Sequence, residues 1–229
     1  MNHYFSEKPE IKSEKRIIKY TIQNKKFEFI TDNGVFSKSK VDFGTDLLLN
    51  EFLKKNKNMK SEGIRILDIG CGSGAISLAL ADNLKKSYVY GIDINKEAIK
   101  LSNKNKEKLN LKNVEFFESD IFSNIKEKNF DIIVSNPPYI DEVDMKTLEK
   151  ELSFEPQNAL YGGKDGLFFY KKIISGSLDY LSANGVLAFE IGYNQMKIIS
   201  NLLIENGFEI LLQKKDFADF DRIIIGKRR

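Results

Sequence analysis

Asn136-Pro137-Pro138-Tyr139 follow directly on the apolar run Phe130-Asp131-Ile132-Ile133-Val134-Ser135, and they join a carboxamide, two rigid residues and an aromatic ring. Pro137 drives Asn136 into an extended conformation. Each proline fixes its own φ and lacks an N–H. The Asn136 side-chain oxygen and the carbonyls beside it are therefore held as acceptors, with few competing donors nearby. A planar –NH2 group suits such a site. One N–H bonds the Asn136 oxygen, a second bonds a backbone carbonyl such as that of Pro137, and the nitrogen lone pair points outward. Pro138 would complete the cradle and Tyr139 would supply a flat wall. Taken alone, the four residues fit a proline-rich turn after a strand equally well.

A second constellation lies upstream, in Asp68-Ile69-Gly70-Cys71-Gly72-Ser73-Gly74. Gly70, Gly72 and Gly74 allow tight turning and close backbone approach to a ligand at a helix N-terminus. Dinucleotide and methyl-donor sites share loops of this type. The spacing here is G-x-G-x-G, and the preceding Asp68 would repel a pyrophosphate but can pair with an α-amino group. Asp93 closes the next strand candidate, 19 positions after Gly74, where a ribose diol could donate to it. Asp120 follows the third strand candidate and can accept from an adenine amino group, with Ile94 and Ile121 as apolar faces for the ring. Three acids at three successive strand ends occupy the rim where open α/β sheets bind ligands. The set reads as a site for S-adenosylmethionine, with Asn136 at its edge and Cys71 as a small loop residue rather than a nucleophile.

The elements that must position these residues are legible as alternation. Strand candidates 65–69, 88–92, 114–117 and 131–134 are separated by helical patterns at 75–84 and 96–109, the latter opened by Asn95. A loop-rich stretch, 137–165, leads to a helix over 167–181, a strand over 185–191, a helix over 195–206 and strands at 208–212 and 222–225. This order implies a doubly wound, mostly parallel α/β sheet of seven strands. The last connection is too short for a parallel crossover, so the final strand should run antiparallel. Residues 1–60 read differently, as a β-hairpin (17–22 and 26–30 around Gln23-Asn24-Lys25) and a helix from about Thr45 to Lys55. The expected division is an N-terminal hairpin-and-helix extension over 1–60 and a methyltransferase domain over 61–229.

Composition bounds the partners. The chain has 229 residues, 41% hydrophobic and 30% charged, as in ordinary soluble globular proteins. No segment approaches the ~18 apolar residues of a membrane span, and the first residues lack the apolar core of a signal peptide. One cysteine excludes an internal disulfide and one histidine leaves no zinc set. A cytoplasmic, metal-free protein is the expectation. Residues 1–60 hold 13 Lys/Arg against 8 Asp/Glu, so +5, and the remainder 23 against 25, so −2. A basic N-terminal segment could meet the ribosome or rRNA, although only five of the 36 basic residues are Arg.

From Ile64 to the C-terminus the chain resembles the HemK/PrmC family of class I methyltransferases. The resemblance rests on Ile66-Leu67-Asp68-Ile69-Gly70-Cys71-Gly72-Ser73-Gly74, Ser135-Asn136-Pro137-Pro138-Tyr139-Ile140 and Glu155-Pro156-Gln157-Asn158-Ala159-Leu160. It continues through Gly162-Gly163-Lys164-Asp165-Gly166, Glu190-Ile191-Gly192-Tyr193-Asn194-Gln195 and Asp221-Arg222. It implies methylation of the glutamine side-chain amide in the Gly-Gly-Gln motif of peptide-chain release factors. The N-terminus departs from that pattern, because bacterial members carry a helical domain there. Residues 31–45 instead are similar to the corresponding segment of RsmC-type rRNA guanine methyltransferases. The alternative acceptor is accordingly an exocyclic amine in RNA or DNA, guanine N2 or adenine N6, for which the –NH2 geometry is the same.

Overall fold

The structure is a computed structural model that describes residues 14–33, 35, 39–55, 63–147 and 159–229. The basic residues at the extreme N-terminus, part of the 31–45 segment, most of the polar joint before Ile64, and Glu155-Pro156-Gln157-Asn158 lie outside the described residues. Nine strands and six helices follow in the order β1 (Arg16–Ile22), β2 (Lys25–Thr31), α1 (Phe43–Lys55), β3 (Arg65–Ile69), α2 (Ala75–Asn83), β4 (Tyr88–Asp93), α3 (Lys96–Lys108) and β5 (Val114–Glu118) among the described residues. They continue as β6 (Phe130–Ser135), α4 (Glu142–Thr147), α5 (Phe168–Ser177), β7 (Leu181–Glu190), α6 (Met196–Glu205), β8 (Phe208–Lys215) and β9 (Asp221–Arg228).

Seven strands form one sheet in the order β5-β4-β3-β6-β7-β9-β8. The pairs from β5 to β7 are all parallel, and β9 runs antiparallel to both neighbours. This is the doubly wound sheet with a reversed last strand that the alternation implied. The chain works outward from β3 to β5 and then returns to β3's other side as β6. That reversal opens a crevice at the carboxyl ends of β3 and β6, where doubly wound sheets bind ligands.

Successive residues of a strand face opposite ways, and β3 feeds both faces. Ile66 packs in one core cluster with α1, α2 and the hairpin, while Leu67 and Ile69 join the cluster under α5 and α6. The hairpin shares the first core: Ile18, Ile22, Phe27 and Phe29 are buried with Leu48, Leu49 and Leu78. At about 1.5–3 kcal/mol for each large apolar side chain buried, that seam fixes the hairpin against the sheet. Asn105 of α3 adds a polar stitch. It accepts from the Ile30 N–H at 2.7 Å and donates to the Ile30 and Ser73 carbonyls, each at 2.9 Å, tying the hairpin to the glycine-rich loop.

Several boundaries differ from the sequence expectation. The hairpin turn has two residues, Gln23 and Asn24, at φ 48° and 64°, so Lys25 already pairs with Ile22. Positive φ at both turn residues matches the right-handed strand twist, which Asn tolerates well. α1 begins at Phe43, and α5 ends at Ser177 rather than near Leu181. β7 starts at Leu181, because Asn184 takes φ 65° and the register shifts between Phe130 and Ile132; a bulge there looks like a turn in the sequence. α4 occupies what reads as loop. Its start is capped by Asp141, whose Oδ1 accepts from Val143 and Asp144 N–H at 2.8 Å each. None of its residues is buried, so it leaves no hydrophobic periodicity to read.

Candidate active site

A cavity of about 950 Å³ runs along the carboxyl ends of β3, β4, β5 and β6, a size ordinary for a small-molecule site. Gly70, Cys71, Gly72, Asp93, Ile94, Asp120 and Ile121 line one half, and Asn136, Pro137, Pro138 and Tyr139 line the other. Two residues singled out from the sequence stand behind the wall instead.

One is Gly74. It caps α2 at φ 83°, and a Cβ there would lie 3.0–3.2 Å from Phe116, Ser102 and Leu78. Its role is to let the loop enter the helix against α3 and β5. The other is Asp68, which is fully buried. Its Oδ2 accepts from the Ser77 hydroxyl at 2.5 Å and the Ser77 N–H at 3.1 Å, holding the first turns of α2. Its Oδ1 has no partner among the described residues. Burial pushes this carboxyl up to about 7, the Ser77 bonds only partly offsetting that. Asp68 therefore anchors the loop from beneath, and it does not reach the cavity.

The loop itself turns through Gly70 at φ 76° and Gly72 at φ 54°, and a Cβ at either would stand in open space. Gly70 and Cys71 donate to the Ile92 carbonyl at 2.8 Å each, and Gly72 donates to Asp93 Oδ2 at 2.9 Å. Asp93 Oδ1 accepts from Asn95 N–H at 2.9 Å. The Asp93 carboxyl is thus fixed by backbone donors of Gly72, Ile94 and Asn95. Burial raises its pKa despite those bonds. Burial and the charges of Asp93 and Asp68 push the Cys71 thiol well up, which disfavours the nucleophilic thiolate. At the third strand end, Ile121 holds φ 50°, an uncommon conformation for a β-branched residue. The Ser119 hydroxyl fixes it by donating to the Ile121 carbonyl at 2.9 Å and accepting from Asn124 N–H.

The opposite half is held by residues remote in sequence. Ser135 donates to the Ile69 carbonyl at 2.8 Å, joining the ends of β6 and β3. Beyond it, Ile140 and Tyr161 form an isolated parallel bridge, with Gly162 N–H donating to the Ile140 carbonyl at 2.8 Å. A Cβ on Gly162 would lie 2.7 Å from the Pro138 carbonyl oxygen, and one on Gly166 2.5 Å from that of Tyr139. The 162–166 glycines are therefore what lets this stretch lie flat under the Asn-Pro-Pro-Tyr loop. Gln195 closes the frame, donating to the Tyr139 carbonyl at 3.1 Å and accepting from Gly192 N–H at 2.9 Å. The Tyr139 ring lines the cavity, and burial raises its hydroxyl pKa.

Asn136 itself is engaged. Its Nδ2 donates to Thr45 Oγ1 at 3.3 Å, and Thr45 Oγ1 donates to Glu190 Oε2 at 3.0 Å. Glu190 is buried at the end of β7. Its pKa is driven well up by burial and then by the Asp42 carboxyl beside it. Sequence reading missed the part played by Thr45, Glu190 and Gln195. An acid closing the buried strand Val186-Leu187-Ala188-Phe189 was the available signal for Glu190. Nothing local marks Thr45.

Comparison with known proteins bears on the family. Residues 26–169 match the family described as "Methyltransferase small domain". A release factor glutamine methyltransferase of Fusobacterium nucleatum is 47% identical over 186 residues, 80% of this chain and 52% of that protein. One of Thermodesulfovibrio yellowstonii is 36% identical over 236 aligned positions, 96% of this chain and 85% of that protein. The chain thus spans about half the length of the first relative and most of the second. Among solved structures, the Thermus thermophilus 16S rRNA N2 G1207 methyltransferase RsmC, in complex with AdoMet and guanosine, superposes with a TM-score of 0.70. It is 24% identical, covering 94% of this chain and 51% of that one, and the likeness is one of fold. With a family match over more than half its length and a relative aligned nearly end to end, the chain belongs to the methyltransferase small-domain family, among the release factor glutamine methyltransferases.

Proposed function

We propose that the protein methylates the side-chain amide nitrogen of the glutamine in the Gly-Gly-Gln motif of peptide-chain release factors, using S-adenosylmethionine. The residues present fit that cofactor. Two left-handed glycines leave open space where side chains would intrude, and Asp93, oriented by backbone N–H groups at the cavity wall, would accept from a ribose diol. Asp120 would accept from the adenine amino group, with Ile94 and Ile121 against the ring. The α-amino role expected of Asp68 is replaced here by a supporting one, because its side chain lies behind the wall. S-adenosylmethionine, when bound, supplies an electrophilic methyl group on a sulfonium.

The observation that carries the reading is the Asn-Pro-Pro-Tyr loop facing the glycine-rich loop across one cavity, with no hydrogen bond to Asn136 Oδ1 among the described residues. Asn136 Oδ1 and the Pro137 carbonyl accept both hydrogens of the acceptor –NH2. An amide nitrogen is a poor nucleophile, since its lone pair is delocalised into the carbonyl. Holding both N–H bonds favours partial pyramidalisation and aims the lone pair. Orientation of this kind can contribute up to about 7–11 kcal/mol. Pro138 and Tyr139 pack on the amide and exclude water. Methylation makes the nitrogen cationic and strongly acidic, and its proton passes to solvent as the product amide leaves the site, so no general base is needed.

The same proposal treats residues 1–60 as an extension of the methyltransferase domain at 61–229. It places the protein in the cytoplasm; among the described residues no helix is long and apolar enough to cross a membrane. Ribosome contact through the basic N-terminal segment is supported by its charge alone. The experiment is a radiolabelled methyl-transfer assay offering purified release factor and ribosomal subunits side by side. Mass spectrometry should find N5-methylglutamine in the Gly-Gly-Gln peptide. Label confined to a guanine or adenine amine would overturn the reading.

A further inference from the structure

Asn136 is the one side chain of the acceptor loop whose two ends have opposite hydrogen-bonding character. Rotating its carboxamide by half a turn exchanges Oδ1 and Nδ2 with almost no change of shape, and only the oxygen can accept from an –NH2 group. The structure holds a device that selects between these states. Thr45 Oγ1 lies 3.3 Å from Asn136 Nδ2 and 3.0 Å from Glu190 Oε2. A hydroxyl has a single proton to donate. Glu190 Oε2 takes that proton, so the Thr45 oxygen can only accept from Asn136, and the amide must turn Nδ2 toward it. Oδ1 is then left facing the cavity.

The Glu190 end is itself fixed. Its Oε1 lies on the Gly44 side, toward the Asp42 carboxyl, so a proton shared by the two acids there leaves Oε2 to accept from Thr45. Gly44 permits the approach, since a Cβ there would collide with the Glu190 carboxyl. Asp42 is held in turn by Gly44 N–H at 2.9 Å on Oδ2. The relay joins the start of α1, the end of β7 and the end of β6, three segments separated by 91 and 145 residues.

We propose that Thr45, with its proton held by Glu190, is a positioning residue that locks the Asn136 carboxamide with its oxygen toward the acceptor nitrogen. The inference rests on the proposed transfer to an –NH2 group, whichever macromolecule carries it. The test compares full-length wild type with Thr45→Val, which keeps the shape and loses the hydroxyl, and Thr45→Ser, which restores it. With the acceptor that wild type methylates, Thr45→Val should lower kcat about 10- to 100-fold, leaving KM and calorimetric S-adenosylmethionine affinity unchanged, and Thr45→Ser should recover kcat. Hydrogen exchange of the Asn136 side-chain amide, followed by 15N NMR without any acceptor, should accelerate in Thr45→Val and return in Thr45→Ser. Wild-type kcat in Thr45→Val, equal impairment of both variants, or a parallel loss of cofactor affinity would overturn the inference. If wild type methylates neither release factor nor ribosomal subunit, the functional reading fails alone. The NMR arm then decides: unaltered exchange overturns the Thr45 lock, and accelerated exchange upholds it.

Discussion

The two walls of the cavity are built by different means. On the β3–β5 side the partners are near in sequence: Ser77 holds Asp68 across 9 residues and Gly72 holds Asp93 across 21. On the β6 side Gln195 supports Tyr139 across 56 residues, Thr45 engages Asn136 across 91, and Glu190 engages Thr45 across 145. The first wall is a local turn presenting backbone and carboxylates. The second is a rigid loop framed by tertiary contacts. Damage to the first should therefore cost cofactor affinity, and damage to the second should cost turnover.

The largest break in that contrast is Asn136→Ala. In the proposed reaction it removes one of the two acceptors for the –NH2 hydrogens, and loss of one preorganised group of this kind costs about 10²–10³ in kcat. S-adenosylmethionine affinity by calorimetry should be nearly intact. Comparable loss of both would merge the two walls into one functional unit. Asp93→Ala is the complement: losing charge-assisted ribose bonds, roughly 1.5–3 kcal/mol, should weaken cofactor binding about 10- to 100-fold. Unchanged affinity would remove Asp93 from its assigned role.

Two glycines sharpen the comparison without deleting a functional group. A Cβ on Gly162 would press to 2.7 Å on the backbone of Pro138 and Tyr139, whereas one on Gly72 meets nothing within 4 Å but is strained at φ 54°. Gly162→Ala should therefore lower kcat about tenfold by shifting the acceptor loop, with cofactor affinity retained. Gly72→Ala stores about 1–2 kcal/mol of left-handed strain in the loop proposed to hold the cofactor, so its loss should appear in the dissociation constant. Steady-state kinetics and calorimetry on both variants read the difference, and the reverse assignment would break it.

The same contrast explains what could be read from the sequence. The sheet was legible because its central parallel strands, β3 and β6, are largely buried apolar runs, and the first wall stood out because its glycines and acids fall at consecutive strand ends. Asn136 and Tyr139, which line the cavity, stood out through the rigidity of the prolines between them. Thr45 did not, since a threonine in the first turn of a helix is indistinguishable from a propensity choice until the fold brings Glu190 to it. Asp68 was misjudged for a related reason. A strand-end acid looks the same whether it points into the crevice or back toward the next helix, and Ser77 decides that here.

Asp68 bears on stability and leaves the chemistry of both walls untouched, and its effect has a definite sign. In the unfolded chain an aspartate ionises near pH ~3.9, while burial holds the native carboxyl up to about 7. Between those values the native state keeps a proton that the unfolded state has lost. Raising pH through the window therefore removes stability, and above about 7 the penalty is complete because both states are ionised. Asp68→Asn is neutral throughout and lacks this contribution. Melting temperatures of wild type and Asp68→Asn should thus diverge as pH rises from about 4 to about 7, and run parallel above that. Parallel profiles across the whole window would mean that the buried carboxyl is ionised at pH 5, its free oxygen having gained a donor. Asp68 would then belong to the ligand-facing side of the first wall, as its place in the sequence implies.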